Sequence, residues 1–147
     1  MVKTSPWEEG SPDSKICFLA EAPGRVELRM QHPHIGPAGG VFNDLLREAG
    51  IARHECYLLN VWKEQVFKSK DQRRFFDSEG NTLYIAGKGF TDIGRSKAAS
   101  TLRRVQECKS NVIVPMGGPA LYLLFGDTRI SKWRGSILAS KTTPSYK

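Results

Sequence analysis

The chain has 147 residues, of which 39% are hydrophobic and 25% are charged, and its formal net charge is +7. These values are ordinary for a single globular domain, and no apolar run reaches the 18 residues that a membrane-spanning helix needs. The N-terminal segment lacks the apolar core of a signal peptide. We therefore expect a monomer in the cytoplasm with no membrane association.

The cysteines bound the chemistry further. There are three, Cys17, Cys56 and Cys108, and they contain no CxxC pair. An odd number of dispersed cysteines predicts neither a disulfide framework nor a zinc ribbon. A reducing compartment and no bound metal are the expectation.

The positive charge is concentrated in the second half of the chain. Residues 1–60 hold 6 Lys and Arg against 8 Asp and Glu, a balance of −2, whereas residues 61–147 hold 16 against 7, a balance of +9. Such asymmetry favours a polyanionic partner such as DNA, although a solvated basic face is the plainer alternative. If DNA is the partner, the expected phosphate contacts are Arg73, Arg74, Lys132 and Arg134.

The first half of the chain contains two apolar runs separated by a long loop. Residues 15–20 form a short run typical of a strand buried on both faces. The loop extends to residue 40, and residues 41–50 then have the apolar spacing of a helix that ends at Gly50. Residues 56–61 predict a second buried strand.

The second half continues the alternation after an irregular stretch. Residues 62–94 are charged and spotted with glycine, and they predict a long excursion with one hairpin around residues 83–86. A helix over 96–108, a strand over 111–115 and a helix over 119–125 follow, the last with a proline in its first turn. A fourth strand is predicted to begin at residues 136–139.

This order of elements predicts an α/β fold. We expect a three-layer α/β/α sandwich with a central, mostly parallel four-stranded sheet. Residues 1–14 are interpreted as a polar N-terminal leader and residues 15–147 as one domain. Ligands of such sheets bind beyond the carboxyl ends of the strands, where the loop over residues 20–40 begins and where Asn60 lies.

Common catalytic motifs are missing from the sequence. It contains no G-x-x-x-x-G-K-[ST] phosphate loop and no G-x-S-x-G nucleophile elbow, and Gly87-Lys-Gly89 lacks the third glycine of a dinucleotide fingerprint. The three histidines do not combine helical ligand spacing with a third ligand. A hydrolase built on a nucleophile and a base is therefore not supported.

A set of short motifs carries a resemblance. The motifs are Glu21-Ala-Pro-Gly24, then Glu27, then His32-Pro-His-Ile-Gly36 with Ala38-Gly39, and finally Leu59-Asn60-Val61. In this order and spacing they resemble the uracil-DNA glycosylase superfamily, above all its family 4 and the related bacteriophage-type DNA polymerase domains. Residues 114–120 resemble the family's next strand-turn-helix. Each motif is weak alone, but the ordered set is specific.

The resemblance implies a DNA glycosylase with the fold described above. Such an enzyme hydrolyses the N-glycosidic bond of a uracil, or a related deaminated base, that has been flipped out of DNA for base excision repair. Glu21, Ala22 and Glu27 are the implied catalytic residues; the first two contact the base through main-chain groups, and Glu27 shapes the pocket. His34 occupies the position that stacks on the base.

Asn60 is implied to read the edge of the base. Its amide offers both a donor and an acceptor, which match O4 and N3–H of uracil. The plainer alternatives are a strand-end turn residue for Asn60, a solvated carboxylate for Glu21 and a loop histidine packed on Pro33 for His34.

The sequence departs from family 4 at several points. Family members usually have Phe where His34 stands, and Ala22 offers no carboxylate to activate water. The family's iron–sulfur cluster has four cysteine ligands, one of them four residues after the strand-end Asn, where this chain has Glu64. We therefore expect no cofactor.

The last departure concerns a second family motif, of the type H-P-S/A-x-x-x-R, which follows the fourth strand. No histidine follows His54 in this chain. We expect either a C-terminally incomplete domain or a protein that dispenses with the motif, and in both cases a poor glycosylase. A non-catalytic nucleic-acid-binding module and a protein-interaction domain derived from the fold are the alternative functions.

Overall fold

The structure is a computed structural model, and it describes residues 3–68, 74–76 and 82–142. Its strands are β1 (Lys3–Ser5), β2 (Glu8–Gly10), β3 (Ile16–Ala20), β4 (Cys56–Asn60), β5 (Phe67–Lys68), β6 (Arg74–Phe76), β7 (Thr82–Ile85), β8 (Gly89–Phe90) and β9 (Val112–Pro115). Its helices are α1 (Arg25–Met30), α2 (Pro37–Glu48), α3 (Asp92–Glu107), α4 (Gly118–Phe125) and α5 (Ile130–Trp133), and Arg53–Glu55 form a 3-10 turn.

The main sheet has five strands in the order β1-β2-β4-β3-β9. Strand β3 lies between β4 and β9 and is parallel to both. Strands β1 and β2 form a hairpin, and β2 pairs with β4 in the antiparallel direction. The three predicted parallel strands are therefore confirmed, and they place Ala20 beside Asn60 at the carboxyl end of the sheet.

Two sequence predictions about this sheet are wrong. The sheet is five-stranded and mixed rather than four-stranded and mostly parallel, and residues 136–139 form no strand. The extra strands come from the segment interpreted as a polar leader. The charged residues Glu8 and Glu9 led to the interpretation of this segment as solvated chain. In the structure each carboxylate is paired with an arginine from elsewhere in the fold.

Helices cover both faces of the main sheet. Successive residues of a strand point to opposite faces, so each strand contributes side chains to both layers of helices. Leu19 and Leu59 belong to a buried cluster with residues of α3 and α4. Phe18 and Leu58 belong to a second cluster with Phe42 of α2. This arrangement agrees with the predicted three layers.

The predicted helices are present, but two begin four residues earlier than the apolar spacing indicated. Helix α2 has Pro37 in its first turn, where a missing backbone N–H is tolerated. Helix α3 begins after Thr91, whose hydroxyl accepts a hydrogen bond from the backbone N–H of Gly94 at 3.1 Å. These starts lie in polar sequence that hydrophobic periodicity does not report.

The stretch between β4 and α3 contains a second, antiparallel sheet in the order β5-β6-β7-β8. The predicted hairpin around residues 83–86 is confirmed as β7 and β8. Leu83 and Tyr84 are buried in the main core cluster, so this sheet is packed onto the domain. Helix α1, inside the long loop, was not predicted.

Within the part of the chain that the structure describes, no helix has both the length and the hydropathy needed to cross a bilayer. The three cysteines are buried and unpaired by disulfides. Among the same residues, no cluster of three or more His, Cys, Asp or Glu side chains could hold a metal ion.

Candidate functional site

Glu27 closes the long loop that follows β3. Its Oε1 accepts hydrogen bonds from the backbone N–H groups of Ile35, at 3.1 Å, and Gly36, at 2.7 Å. A Cβ at Gly24 or Gly36 would lie 2.6 or 2.9 Å from this carboxylate, so a larger residue at either position would displace the Glu27 side chain. The loop's glycines therefore allow its backbone to wrap around one buried acid.

The loop donors also set the charge state of Glu27. Burial alone would raise the pKa of this carboxyl, but backbone N–H groups, with Gly36 the strongest, lower it below its usual value. Glu27 is thus an anion whose acceptor atoms are used by the loop. This geometry agrees with the implied role in shaping the pocket.

His34 lies at the far end of the same loop. Its backbone is in the left-handed region, with φ of 51°, which is uncommon for a residue other than glycine. The imidazole packs on Phe42, with ring centroids 5.4 Å apart, and its Nε2 is buried without a hydrogen-bond partner among the described residues. Burial lowers the pKa of His34 to about 4, with a further contribution from the charge of Arg53. The ring is therefore neutral at pH 7.

Asn60 ends β4 and faces the same side of the sheet as His34. Leu58, two residues earlier, packs in the cluster that contains Phe42, and side chains two apart on a strand share a face. Asn60 is 2% exposed, and its Nδ2 donates to the carbonyl of Pro6 at 3.5 Å. Its Oδ1 is buried and has no partner among the described residues.

Glu21 and Ala22 directly follow β3 at the carboxyl end of the sheet. The carbonyl of Glu21 accepts a hydrogen bond from the backbone N–H of Trp62 at 3.1 Å, which ties the ends of β3 and β4 together. Ala22 packs against the main core cluster. The pKa of Tyr84 is raised by burial first and then by the charge of Glu21. The small sheet therefore borders this end of the loop.

The residues implied for the pocket lie at two neighbouring strand ends, with Glu21 and Ala22 after β3 and Asn60 at the end of β4, and in the loop after β3, which holds Glu27 and His34. Two of them, Asn60 and His34, carry a buried polar atom that no described group satisfies. Buried polar atoms are rarely left without a partner. These two atoms are therefore the candidate contacts for a polar ligand.

Sequence reasoning missed Arg53, which connects this site to the rest of the fold. Its guanidinium donates to the carbonyls of Pro33, at 2.7 Å, and His34, at 3.1 Å. It also donates to Asn43 at 2.8 Å and to Glu9 at 2.6 Å. No local sequence pattern identifies Arg53, because its side-chain hydrogen-bond partners lie between 10 and 44 positions away.

The residues predicted to contact phosphates are only partly placed. Arg73 lies outside the described residues, and the side chain of Arg74, at the start of β6, is outside them as well. Lys132 is exposed on α5, with its Nζ 4.7 Å from the centre of the Trp133 ring. Arg134 is exposed directly after that helix.

Comparison with known proteins gives the family. The family model of the uracil DNA glycosylase superfamily matches residues 7–146. A type-4 uracil-DNA glycosylase of Archaeoglobus fulgidus is 37% identical over 134 residues, which are 87% of this chain and 58% of that protein. Type-4 uracil-DNA glycosylases of Thermotoga maritima and Sulfurisphaera tokodaii are 44% and 36% identical over 55 and 56 residues, each 37% of this chain and 29% and 26% of theirs.

The aligned residues cover 58% of the Archaeoglobus fulgidus protein, little more than half of its length, and less than a third of the other two. The family match, by contrast, extends over nearly the whole chain. The resemblance of the short motifs to family 4 is confirmed, and the chain belongs to the uracil-DNA glycosylase superfamily.

Proposed function

We propose that this protein is a uracil-DNA glycosylase that hydrolyses the N-glycosidic bond of a uracil flipped out of DNA. Its relatives bear that name, and the proposal is supported by the position of the implied base-binding residues at the ends of β3 and β4 and in the loop after β3. We further propose that it acts as a monomer in the cytoplasm, with single- or double-stranded DNA as its partner. The proposal includes no bound cofactor.

The observation that carries the proposal is the unsatisfied Oδ1 of Asn60. Leaving a buried acceptor without a donor costs roughly 1–3 kcal/mol, and the protein tolerates this at a strand end where ligands of such folds bind. The contact from Nδ2 to Pro6 fixes which way the amide faces. An N–H donor such as N3–H of uracil would satisfy Oδ1, whereas N3 of cytosine is itself an acceptor.

The other residues divide the work of base recognition. The main chain at Glu21 and Ala22 lines the base, and the neutral ring of His34 supplies a flat apolar face beside it. The bond between N1 and C1′ then breaks with its electron pair going to uracil, water adds to C1′, and the proton that this water loses passes through solvent to the departing uracil anion. Ala22 provides no base for that proton, and Glu27 is already engaged by the loop.

A uracil-release assay with Asn60→Ala tests the proposal. A labelled oligonucleotide with one uracil is incubated with excess protein over hours, because the sequence predicts slow turnover, and abasic sites are cleaved with alkali. Removing a preorganised hydrogen-bonding group typically costs about 100-fold or more in rate, so release by Asn60→Ala should fall by at least that factor. Asn111→Ala, at an exposed position, is the control.

Equal release by Asn60→Ala and the unmodified protein would contradict the assignment of Asn60. DNA binding without release by either protein would contradict the catalytic proposal and favour the nucleic-acid-binding module. Absence of both would favour the protein-interaction domain.

Salt dependence of DNA binding tests the proposed phosphate contacts. If about five phosphates are neutralised on a single strand, the logarithm of the affinity should fall with the logarithm of salt concentration at a slope of roughly −3.5. Lys132→Ala and Arg134→Ala should each make that slope shallower by about 0.7. An affinity that does not change between low and moderate salt would contradict this part of the proposal.

A further inference from the structure

Arg53 joins the loop between β3 and α2, the proposed base-binding loop over residues 21–36, to helix α2 and strand β2. It stands at the start of the 3-10 turn before β4, and its five side-chain hydrogen bonds reach these three segments. Its guanidinium carbon is also 5.9 Å from the centre of the Phe42 ring, the ring on which His34 packs.

We propose that Arg53 is the positioning residue of the pocket, holding the backbone at Pro33 and His34 so that the His34 ring stays beside the bound base. This inference rests on the proposed function and adds a residue to which the family motifs assign no role. Arg53 does not reach the reacting bond in the proposal. It acts through the loop.

The backbone of His34 has a positive φ of 51°, and a non-glycine residue is held in that region by its surroundings. Arg53 donates to the carbonyls of both Pro33 and His34, and the Pro33 carbonyl also lies 3.0 Å from Nδ1 of His32. Gly39 completes the fit, because a Cβ there would lie 2.0 Å from the His34 carbonyl oxygen.

The chemistry of the contact calls for arginine rather than lysine. A planar guanidinium presents several N–H donors in fixed directions, whereas an ammonium is a point charge on a flexible stem. Nη1 of Arg53 serves the His34 carbonyl and Asn43, while Nη2 serves the Pro33 carbonyl and Glu9. A lysine at this position could not serve all four groups at once.

Glu9 compensates the positive charge of the partly buried Arg53. The Glu9 carboxylate accepts from Nη2 at 2.6 Å and from Nε at 3.3 Å, and both side chains are largely shielded from solvent. Through this pair the N-terminal hairpin supports the loop. The charged groups around His34 are Arg53, Glu27, Glu9 and His32.

The test compares Arg53→Lys and Arg53→Met with the control Arg47→Lys. Arg47 is an exposed arginine of α2 that pairs only with Asp44 in the described structure. The first readout is the His34 ring in NMR spectra between pH 4 and pH 8, which is accessible because the chain has three histidines. Single-turnover uracil release and DNA affinity are the second and third.

We expect both Arg53 variants to move the His34 ring signals and the control to leave them in place. Arg53→Met should also raise the pKa of His34 above about 4, because the nearby positive charge is gone. Uracil release should fall by about 30-fold in Arg53→Lys, since small misplacements at a site can cost as much as 100-fold. DNA affinity, which depends on phosphate contacts elsewhere, should stay within about 2-fold.

Unchanged His34 signals in both variants would overturn the proposal, as would a loss of release that only follows the unfolded fraction. If the unmodified protein releases no uracil, the proposed function fails, yet the NMR comparison still decides whether Arg53 positions His34. If Arg53→Met does not fold, Arg53→Lys and Glu9→Gln provide the same comparison.

Discussion

Two neighbouring carboxylates of β2, Glu8 and Glu9, face opposite sides of the sheet, and each binds an arginine. Glu8 accepts hydrogen bonds from Arg104 at 2.6 and 2.8 Å and from the Tyr57 hydroxyl at 2.7 Å. Glu9 accepts from Arg53 at 2.6 and 3.3 Å. The local chemistry of the two pairs is nearly the same.

The pairs differ in what their arginines touch next. Arg104 lies on α3 and binds Glu8, so that pair fastens the hairpin to α3. Arg53 continues to the carbonyls of Pro33 and His34, so its pair fastens the hairpin to the base-binding loop. One strand thus supports the fold on one side and the site on the other.

The largest effect on stability should come from Glu8→Ala. Breaking a buried ion pair typically costs about 3–5 kcal/mol, but the Arg104 side chain is 32% exposed and regains some hydration. We expect the free energy of unfolding in urea to fall by about 2–3 kcal/mol, with Glu48→Ala, at an exposed position of α2, unchanged. A loss below about 0.5 kcal/mol, the range of ordinary surface changes, would show that this pair does not fasten the hairpin.

The substitution Gly39→Ala disturbs the loop bound by Arg53 without changing a charged residue. The new methyl group would collide with the His34 carbonyl, 2.0 Å away, and overpacking of this kind costs about 1–3 kcal/mol. Uracil release should fall as well, because the carbonyl bound by Arg53 must move.

Gly40→Ala, one residue further along α2, is the matched control. A Cβ there meets nothing within 4 Å, and replacing glycine by alanine inside a helix stabilises by roughly 0.5–1 kcal/mol. If the two variants have equal stability and equal release, the close packing of Gly39 on the loop has no consequence.

We expect the free energy of unfolding to depend on pH through the side of the hairpin that Glu9 and Arg53 join to the loop, and not through the side that Glu8 and Arg104 join to α3. The pKa of His34 is lowered to about 4 in the folded protein, so the unfolded chain binds more protons between about pH 6.5 and pH 4. The stabilisation is therefore complete above pH 6.5 and is lost as the pH falls through this window. On the other side, burial and Glu8 raise the pKa of Tyr57, so its hydroxyl does not titrate there.

His34→Phe should remove this dependence. Between pH 7 and pH 5 the unmodified protein should lose roughly 2 kcal/mol more unfolding free energy than the variant, measured by urea unfolding. Glu27, whose lowered pKa matters only at more acidic pH, contributes equally to both proteins. Parallel pH profiles would contradict the buried, neutral imidazole.

How far the sequence predicts this molecule depends on the kind of interaction involved. Strands β3 and β4 could be predicted because burial on both faces makes their sequences almost wholly apolar. The hairpin could not, because its carboxylates are satisfied by arginines 44 and 96 positions away. The predicted strand at residues 136–139 fails because its Ile137 is fully exposed, and the next residues, Ser140 and Lys141, donate to the carbonyl of Leu124 in α4 and not to a strand.

The residues of the candidate site also differ in whether the sequence predicts them. Glu21, Glu27 and Asn60 could be proposed as site residues because their motifs are short and ordered along the chain. The contact of Glu27 with the far end of its loop, the left-handed His34 and the role of Arg53 depend on backbone geometry that no motif encodes.

The measurement that tests the comparison most directly uses Glu8→Gln and Glu9→Gln, which have the same chemical change on adjacent residues. Unfolding free energy and uracil release are measured on both, at a temperature where both are folded. Glu8→Gln should lower the unfolding free energy by about 1–3 kcal/mol and leave release by the folded protein unchanged. Glu9→Gln should lower release by about 10-fold with a smaller loss of stability. Equal losses of release in the two variants, or release that only follows the folded fraction, would contradict the separation of fold support from site support.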